Sequence, residues 1–290
     1  KGIKAYNKVL SINHNYDLAR AHKLHQQAHI CDWNSLDEDK KLINTLGTKN
    51  KPVPPFTMLS LEDNPKHHYL RSKIYVEDKF IQKQLTNHKI PSSKSKRINI
   101  GYFSADFHDH ATMWLILKVL AIHDRQKFKI YAYSYGPEKK DHIRQKLIES
   151  VDVFKNVQKM SDEDIALLAQ KHEIDIAVDL KGHTQNQRLG IFSYRPAPIQ
   201  ISYLGYPGST GANFIDYIIA DPIVIPKNQL DSYSEKIIYL PNSYQPNNNT
   251  RDIPITSIKR KDLGLPEKGF VFCCFNNNYK ISSVEFNIWM

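Results

Sequence analysis

The apolar positions change their period once along this chain, near residue 97. Before that point Ala5, Tyr6, Val9, Leu10 and Ile12 recur at helical spacing. A break at Asn13-His14-Asn15 separates them from Tyr16, Leu18, Ala19 and Ala21, which start a second helix. The pair predicts a helical hairpin, read as the end of one helical repeat and the start of the next. Only about one repeat length is present, so no internal self-similarity can be tested. Such a repeat cannot bury its face alone, and the natural chain is expected to begin earlier. A polar helix is predicted over 37–46, a proline-rich turn over 51–56 and a further helix over 65–85. Residues 91–96, Pro-Ser-Ser-Lys-Ser-Lys, have the composition of a linker.

Beyond residue 97, short apolar runs without helical spacing alternate with helical stretches. Strands are predicted at 98–103, 128–135, 174–180, 199–204, 215–220 and 236–240. Helices are predicted at 112–123 and 141–150, and another begins at Ser161, where Asp164 completes a capping-box pattern. Strands separated by helices of this length predict an α/β fold with a parallel, doubly wound sheet. In such sheets ligands sit on loops that leave the carboxyl ends of strands. A last apolar run, 269–275, predicts another buried strand, and 283–290 a helix start. The two read as the opening of a second α/β unit.

Composition narrows this picture. The 290 residues allow one large domain or two ordinary ones. With 41% hydrophobic and 24% charged residues, the chain reads as a soluble globular protein. No run approaches the roughly 20 apolar residues of a membrane helix, and no secretory h-region opens the sequence. Cys31, Cys273 and Cys274 have neither zinc nor disulfide-framework spacing, which predicts a reducing, cytoplasmic setting. The formal charge of +10 admits nucleic acid, an anionic membrane surface or a phosphorylated ligand, or only solubility. The densest basic stretch, 66–97, reads as the solvated face of a helix plus a linker. No nucleic-acid recognition motif accompanies the charge.

Four segments are placed where chemistry is built. Ser104 to Thr112 follows the first strand and precedes a helix. Asp106 and His110 within it are four apart, close enough to share a proton directly or through one water. A helix N-terminus beside His110 disfavours its charged form. A capping aspartate with surface histidines is the plainer reading of the spacing. His108, Asp109 and His110 also hint at a metal, with no third ligand anchored. Asp179 to Thr184 follows another strand; Gly182 permits close backbone approach, and His183 or Thr184 can face a ligand. Leu204 to Gly211 is glycine-rich but has neither P-loop nor dinucleotide-fold spacing. Lys280, near Asn277 at a helix start, suits a diphosphate; an exposed lysine is the plainer reading.

Taken in order, these segments resemble one family. They are Gly101 to Phe107 with His110, Lys181-Gly182-His183-Thr184, Arg195-Pro196-Ala197-Pro198-Ile199-Gln200, Leu204-Gly205-Tyr206-Pro207-Gly208-Ser209-Thr210-Gly211, Asp216-Tyr217 with Asp221, Tyr233-Ser234-Glu235-Lys236, and Phe275-Asn276-Asn277 with Tyr279-Lys280-Ile281. The set is similar to the protein O-GlcNAc transferase/SPINDLY family of glycosyltransferases, family 41. The resemblance runs from about Arg97 to the end. The helical N-terminus fits the tetratricopeptide (TPR) repeats that precede the family's catalytic region, and 55–59 resembles its transitional helices.

The resemblance implies the Rossmann-like N-terminal half of a GT-B glycosyltransferase. Its expected layout is a repeat end (1–30), linker helices (31–96), an N-terminal catalytic domain (97–265) and the truncated start of a nucleotide-sugar domain (266–290). It implies an inverting transfer of GlcNAc from UDP-GlcNAc to Ser or Thr of proteins, with no cofactor and no metal. Neither nucleic acid nor membrane is an expected partner; the TPR repeats imply protein partners. The fragment alone is expected to be inactive. His110 matches the essential active-site histidine and Asp106 its nearby aspartate. Thr112 matches a threonine near the sugar, and His183, Thr184, Leu204, Gly205, Tyr206 and Pro207 fall in the cleft-lining motifs. Lys280 matches the lysine on the donor diphosphate, with Asn277 where animal enzymes have glutamine. Pro55 and Trp114 stand where animal enzymes have histidines, and His110-Ala111-Thr112 replaces their His-Pro-Thr. Gly182-His183-Thr184 is closer to SPINDLY and bacterial members than to the animal Gly-Tyr-Thr. GDP-fucose therefore stays open as the donor, and a TPR-linked, non-catalytic interaction module is the reading from another class.

Overall fold

The structure, a computed structural model, describes residues 1–49, 51–81, 97–251 and 257–290. The N-terminal part is helical, as the 3.6-residue spacing requires. Helices α1 (Gly2–Ile12) and α2 (Asp17–His29) form the predicted hairpin, with Tyr6 stacked on His22. The polar helix expected at 37–46 is two pieces: α3 (Trp33–Asp39), capped by the Asp32 carboxylate on the Ser35 N–H, and a 3-10 segment, Lys40–Thr45. A second 3-10 turn, Pro55–Met58, precedes α4 (Pro65–Lys79). Proline at the first turn of α4 and the Asn64 cap on the His67 N–H explain its start. Ala21, Leu24, Ile43, Leu46, Val53 and Met58 close a small core between these elements.

The basic stretch was expected to be solvated, and Arg71 contradicts that. It is fully buried, with its guanidinium on the carbonyls of Leu46 and Ile43 at 2.7 Å each and on Glu62 at 2.6 Å. A guanidinium has five donors in a fixed fork, so three acceptors offset its desolvation. Helix α4 ends at Lys79, and residues 82–85 of the helix predicted over 65–85 lie outside the described residues. The linker at 91–96 and the lysines at 83, 89, 94 and 96 lie outside the described residues.

Seven strands follow: β1 (Ile98–Ser104), β2 (Phe128–Ser134), β3 (Val153–Asn156), β4 (Ile176–Asp179), β5 (Ile199–Ser202), β6 (Tyr217–Ala220) and β7 (Lys236–Tyr239). All pairings are parallel, in the order β3-β2-β1-β4-β5-β6-β7. Strand β1 is buried from Asn99 to Ser104 and mostly apolar because both of its faces are covered. On one face Ile100, Tyr102 and Ile130 meet Met113, Ile116 and Leu120 of α5 (Ala111–Ile122) and Ile143 and Leu147 of α6 (His142–Ser150). On the other, Phe103 and Tyr133 meet Ile165, Ala166 and Ala169 of α7 (Asp162–Lys171) and Ile191 and Phe192 of the single turn α8 (Gly190–Ser193). The result is a Rossmann-like α/β/α sandwich. Its strand order reverses between β1 and β4, so the crevice for a ligand opens at their carboxyl ends.

Ser161 caps α7 by accepting the Asp164 N–H, but its hydroxyl also holds the Asp164 carboxylate, so the reciprocal half of a capping box is not made. The strand predicted at 269–275 is absent. No strand among the described residues pairs with this segment, and Phe270, Phe272 and Phe275 are 82%, 89% and 96% exposed. The chain then runs through a 3-10 turn, Asn278–Lys280, into α9 (Ser283–Trp289), whose Ser282–Glu285 capping box is complete. No described helix is long and apolar enough to cross a membrane.

Candidate active site

The loop after β1 is held from within. Ser104 Oγ accepts the Asp106 N–H at 3.0 Å, and Phe107 is fully buried beneath. Arg144 reaches up from α6 to the Phe107 carbonyl at 3.0 Å. Asp109 accepts the Trp114 indole N–H at 2.8 Å, so it turns away from His110, and the His108 ring rests on the Asp109 carbonyl. Among the described residues no group of three or more His, Cys, Asp or Glu side chains is placed to hold a metal ion. His110 is the N-cap of α5, its Nδ1 accepting the Thr112 N–H at 3.2 Å. Burial lowers its pKa, and Lys181, His108 and Lys139 add to that, while Asp106 opposes it.

Asp106 and His110 do come together, with Oδ2 and Nδ1 3.5 Å apart. The main partner of Asp106 is another residue, however. Lys181, from the loop after β4, places its Nζ 2.6 Å from the same Oδ2, and both side chains are almost wholly buried. The β4 loop is itself tightly wound. Asp179 accepts the N–H groups of Lys181 and Gly182 at 3.0 and 2.8 Å. Burial raises the Asp179 pKa to about 6 against the pull of those N–H groups and of the Lys181 charge. Gly182 sits at φ +52, and a Cβ there would strike Tyr206, as its expected strained turn requires. Thr184 spends its hydroxyl on the Lys181 carbonyl at 2.9 Å.

His183 is buried between Tyr75 and Tyr206, edge-on to both, and donates Nε2–H to the Thr210 carbonyl at 2.7 Å. Burial brings its pKa down to about 4, so it is neutral. The acceptor Thr210 belongs to the glycine-rich loop after β5, which Glu235 knots by accepting the Thr210 N–H and the Ser209 hydroxyl, each at 2.7 Å.

A cavity of about 900 Å³ opens above these three loops. From the sheet side it is lined by Asp106, His110, Thr112, Lys181, His183, Thr184 and Gly205. The opposite wall is helical: His22, His25 and His29 of α2, Phe56 of the 3-10 turn and Tyr75 of α4. Asn277 and Tyr279 contribute from the C-terminal segment, where Tyr279 packs on His25 and His29 with ring centroids 5.2 and 4.8 Å away. Burial, with the charges of His29 and His22, lowers the His25 pKa to about 4.

Of the residues singled out in the sequence, Asp106, His110, Thr112, His183, Thr184, Gly205 and Asn277 share this cavity. Leu204, Tyr206 and Pro207 do not line it: Leu204 turns the chain at φ +69, Tyr206 is buried under the loop, and the Pro207 carbonyl accepts the Tyr233 hydroxyl. Lys280 is exposed beside the wall rather than in it. Sequence reasoning gave Lys181 and the α2 histidines no role. The spacing of His22, His25 and His29, three and then four residues, already places them on one helix face.

The description glycosyl transferase family 41 matches residues 30–251. A probable UDP-N-acetylglucosamine–peptide N-acetylglucosaminyltransferase SEC of Arabidopsis thaliana is 38% identical over 200 residues, 67% of this chain and 20% of that protein. A probable transferase of the same description named SPINDLY, from Solanum lycopersicum, is 31% identical over 70% of this chain and 22% of its own length. The chain thus spans about a fifth of the curated relatives it matches. A solved mutant of the Thermobaculum terrenum O-GlcNAc transferase aligns with 99% of this chain and 55% of its own, at TM-score 0.75 and 21% identity, a likeness of fold. The match covers the whole seven-stranded sheet and all three site loops, and on that extent the chain belongs to glycosyl transferase family 41.

Proposed function

We propose that this chain is the N-terminal catalytic half of a protein O-linked glycosyltransferase that moves GlcNAc from UDP-GlcNAc to Ser or Thr hydroxyls, inverting and without a metal. The observation that carries the reading is the cavity itself. It lies at the strand-order reversal, is roomy enough for a sugar and part of a nucleotide, and gathers seven of the residues matched to the family's site. In this reading 1–30 ends a repeat array, 31–96 links it, 97–265 is the catalytic domain and 266–290 begins the donor domain.

The chemistry assigns each residue a task. The acceptor oxygen forms a bond to the anomeric carbon as the bond from that carbon to the diphosphate oxygen breaks; the hydroxyl proton passes to a phosphate oxygen of the departing diphosphate or to water, and the diphosphate leaves as an anion. Such a transfer needs an oriented hydroxyl and a cation at the leaving group. His110 and Asp106 stand beside the proton's route, Thr112, His183 and Gly205 shape the sugar site, and Lys280 with Asn277 meets the diphosphate. No cofactor enters this scheme. A cytoplasmic location is part of it, supported by three unpaired cysteines. Protein acceptors are its partners.

GDP-fucose is the second donor to weigh, because Gly182-His183-Thr184 has the SPINDLY form. The test uses the protein encoded by the whole reading frame, supplied with UDP-GlcNAc or GDP-fucose and a protein acceptor. Transfer from UDP-GlcNAc is expected, lost at least about 100-fold in His110→Ala and in Lys280→Ala. Wild-type turnover in both variants overturns the site; transfer from GDP-fucose alone overturns the donor.

A further inference from the structure

His110 Nδ1 faces two neighbours that demand opposite proton states. The Thr112 N–H, at 3.2 Å, requires a lone pair on that nitrogen. The Asp106 carboxylate, at 3.5 Å, favours a proton there. One nitrogen cannot satisfy both. Lys181 decides between them, because its ammonium lies 2.6 Å from the same carboxylate oxygen in a charge-assisted contact. The pair joins the β1 and β4 loops across 75 positions of sequence and is shielded from water, where such a contact is hardly screened. Lys181 is also fixed at its base: its N–H is on Asp179 and its carbonyl holds the Thr184 hydroxyl. With Nδ1 occupied, Nε2 is the ring nitrogen without a protein partner among the described residues, in a side chain that lines the cavity.

We propose that Lys181 is a positioning residue that selects the tautomer of His110: by holding Asp106 Oδ2 it leaves Nδ1 as acceptor, and His110 offers Nε2–H to the cavity. His110 then acts as a hydrogen-bond donor that orients the acceptor hydroxyl or the sugar, and it does not take the hydroxyl proton at Nε2. The bearing on catalysis rests on the transfer reading above; the tautomer itself does not. Of the charged and titratable groups around His110, all but Asp106 act in one direction. His108 on its own loop, Lys181 on the β4 loop and Lys139 ahead of α6 all disfavour a second proton, and Asp106 alone favours it. His183 lines the same side of the cavity, and the α2 histidines stand across it.

The test is nitrogen-15 imidazole spectroscopy of this chain, with the His110 signal assigned from its loss in His110→Gln. The wild type is expected to show a protonated Nε2 and a bare Nδ1 near neutral pH. Lys181→Met frees Asp106 to draw a proton onto Nδ1, and the His110 titration midpoint rises by at least about one pH unit. Lys181→Arg keeps the wild-type pattern. Asp106→Asn, alone or with Lys181→Met, keeps Nε2–H, since a neutral amide N–H can also donate to Nδ1; if Lys181→Met fails to fold, these two variants still decide. A protonated Nδ1 in the wild type or in Asp106→Asn overturns the proposal, as does an unchanged pattern in folded Lys181→Met. With the tautomer as stated, full turnover in His110→Ala overturns the role of His110 in the site, and no transfer by the wild type overturns the transfer reading instead.

Discussion

Trp33 donates its indole N–H to the carbonyl of Ile281 at 3.2 Å, joining residues 248 positions apart. Its ring also packs on Phe286 of α9, centroids 5.2 Å apart. The bond falls on the residue after Lys280, so a helix of the N-terminal part holds the segment that carries the proposed diphosphate lysine. Trp33→Phe keeps the ring and removes the donor. Losing about 1 kcal/mol of local stability is expected to speed amide exchange in 278–290 about fivefold, with the sheet unchanged. Exchange at the wild-type rate would mean that the helical part does not hold this segment.

Arg71 is expected to be the costliest charge to remove. Its guanidinium joins Glu62 to the carbonyls of Ile43 and Leu46, and Glu62 is in turn 2.7 Å from His67 Nδ1. Burial alone raises the Glu62 pKa, but hydrogen bonds from His67 and Arg71 bring it below its ordinary value, which marks the network as charged. Arg71→Met strands a carboxylate and two carbonyls and should cost about 3–5 kcal/mol. Arg71→Lys should recover only part, lacking the fork. Urea unfolding midpoints check both; a loss below about 1 kcal/mol for Arg71→Met would contradict the buried network.

The sheet was legible because parallel, doubly covered strands are written as mostly apolar runs, as 98–103 and 128–135 are, broken only by Asn99 and Gly101 in the first and by Lys129 and Ser134 in the second. Strand β3 was not, since its four residues at the sheet edge, Val153-Phe154-Lys155-Asn156, make no such run. The segment 269–275 shows the converse. An apolar run states what a strand would bury, and only a neighbouring strand can bury it. The site loops could be found from their place between strand and helix. The partner of Asp106 could not: i to i+4 spacing pointed to His110, and Lys181 arrives from 75 residues away through strand order alone. Arg71 was misread because a basic composition does not distinguish a solvated cation from one held by an acid nine positions earlier.

Gly205 marks where the β5 loop presses on the β4 loop. A Cβ there would collide with the Leu180 carbonyl oxygen and crowd Lys181, both backbone. Gly264 is the control: its φ is +68 but nothing stands within 4 Å of its missing Cβ. Gly264→Ala should cost about 1–2 kcal/mol, the strain of a left-handed backbone. Gly205→Ala instead forces a steric shift of the loop that carries Lys181, about 1–3 kcal/mol of overpacking, and should move the His110 and His183 resonances. His110 and His183 resonances unmoved in Gly205→Ala would disprove this apposition.

His183 predicts how acid acts on the fold. Its pKa is near 4 when folded and about 6.5 when unfolded, so between those values the unfolded chain binds the extra proton. Its stabilising contribution is complete above pH 6.5 and is lost as the pH falls toward 4. Asp179 works in the opposite sense: burial raises it to about 6, so the native state binds the extra proton between about 3.8 and 6 and gains stability as the pH falls. The two partly cancel in the wild type. His183→Gln keeps an N–H for the Thr210 carbonyl and removes the titration. Between pH 7 and 4.5 the variant should therefore lose about 2–3 kcal/mol less than the wild type, read from urea unfolding at each pH. Parallel losses in the two proteins would show that His183 does not titrate from a buried, neutral state.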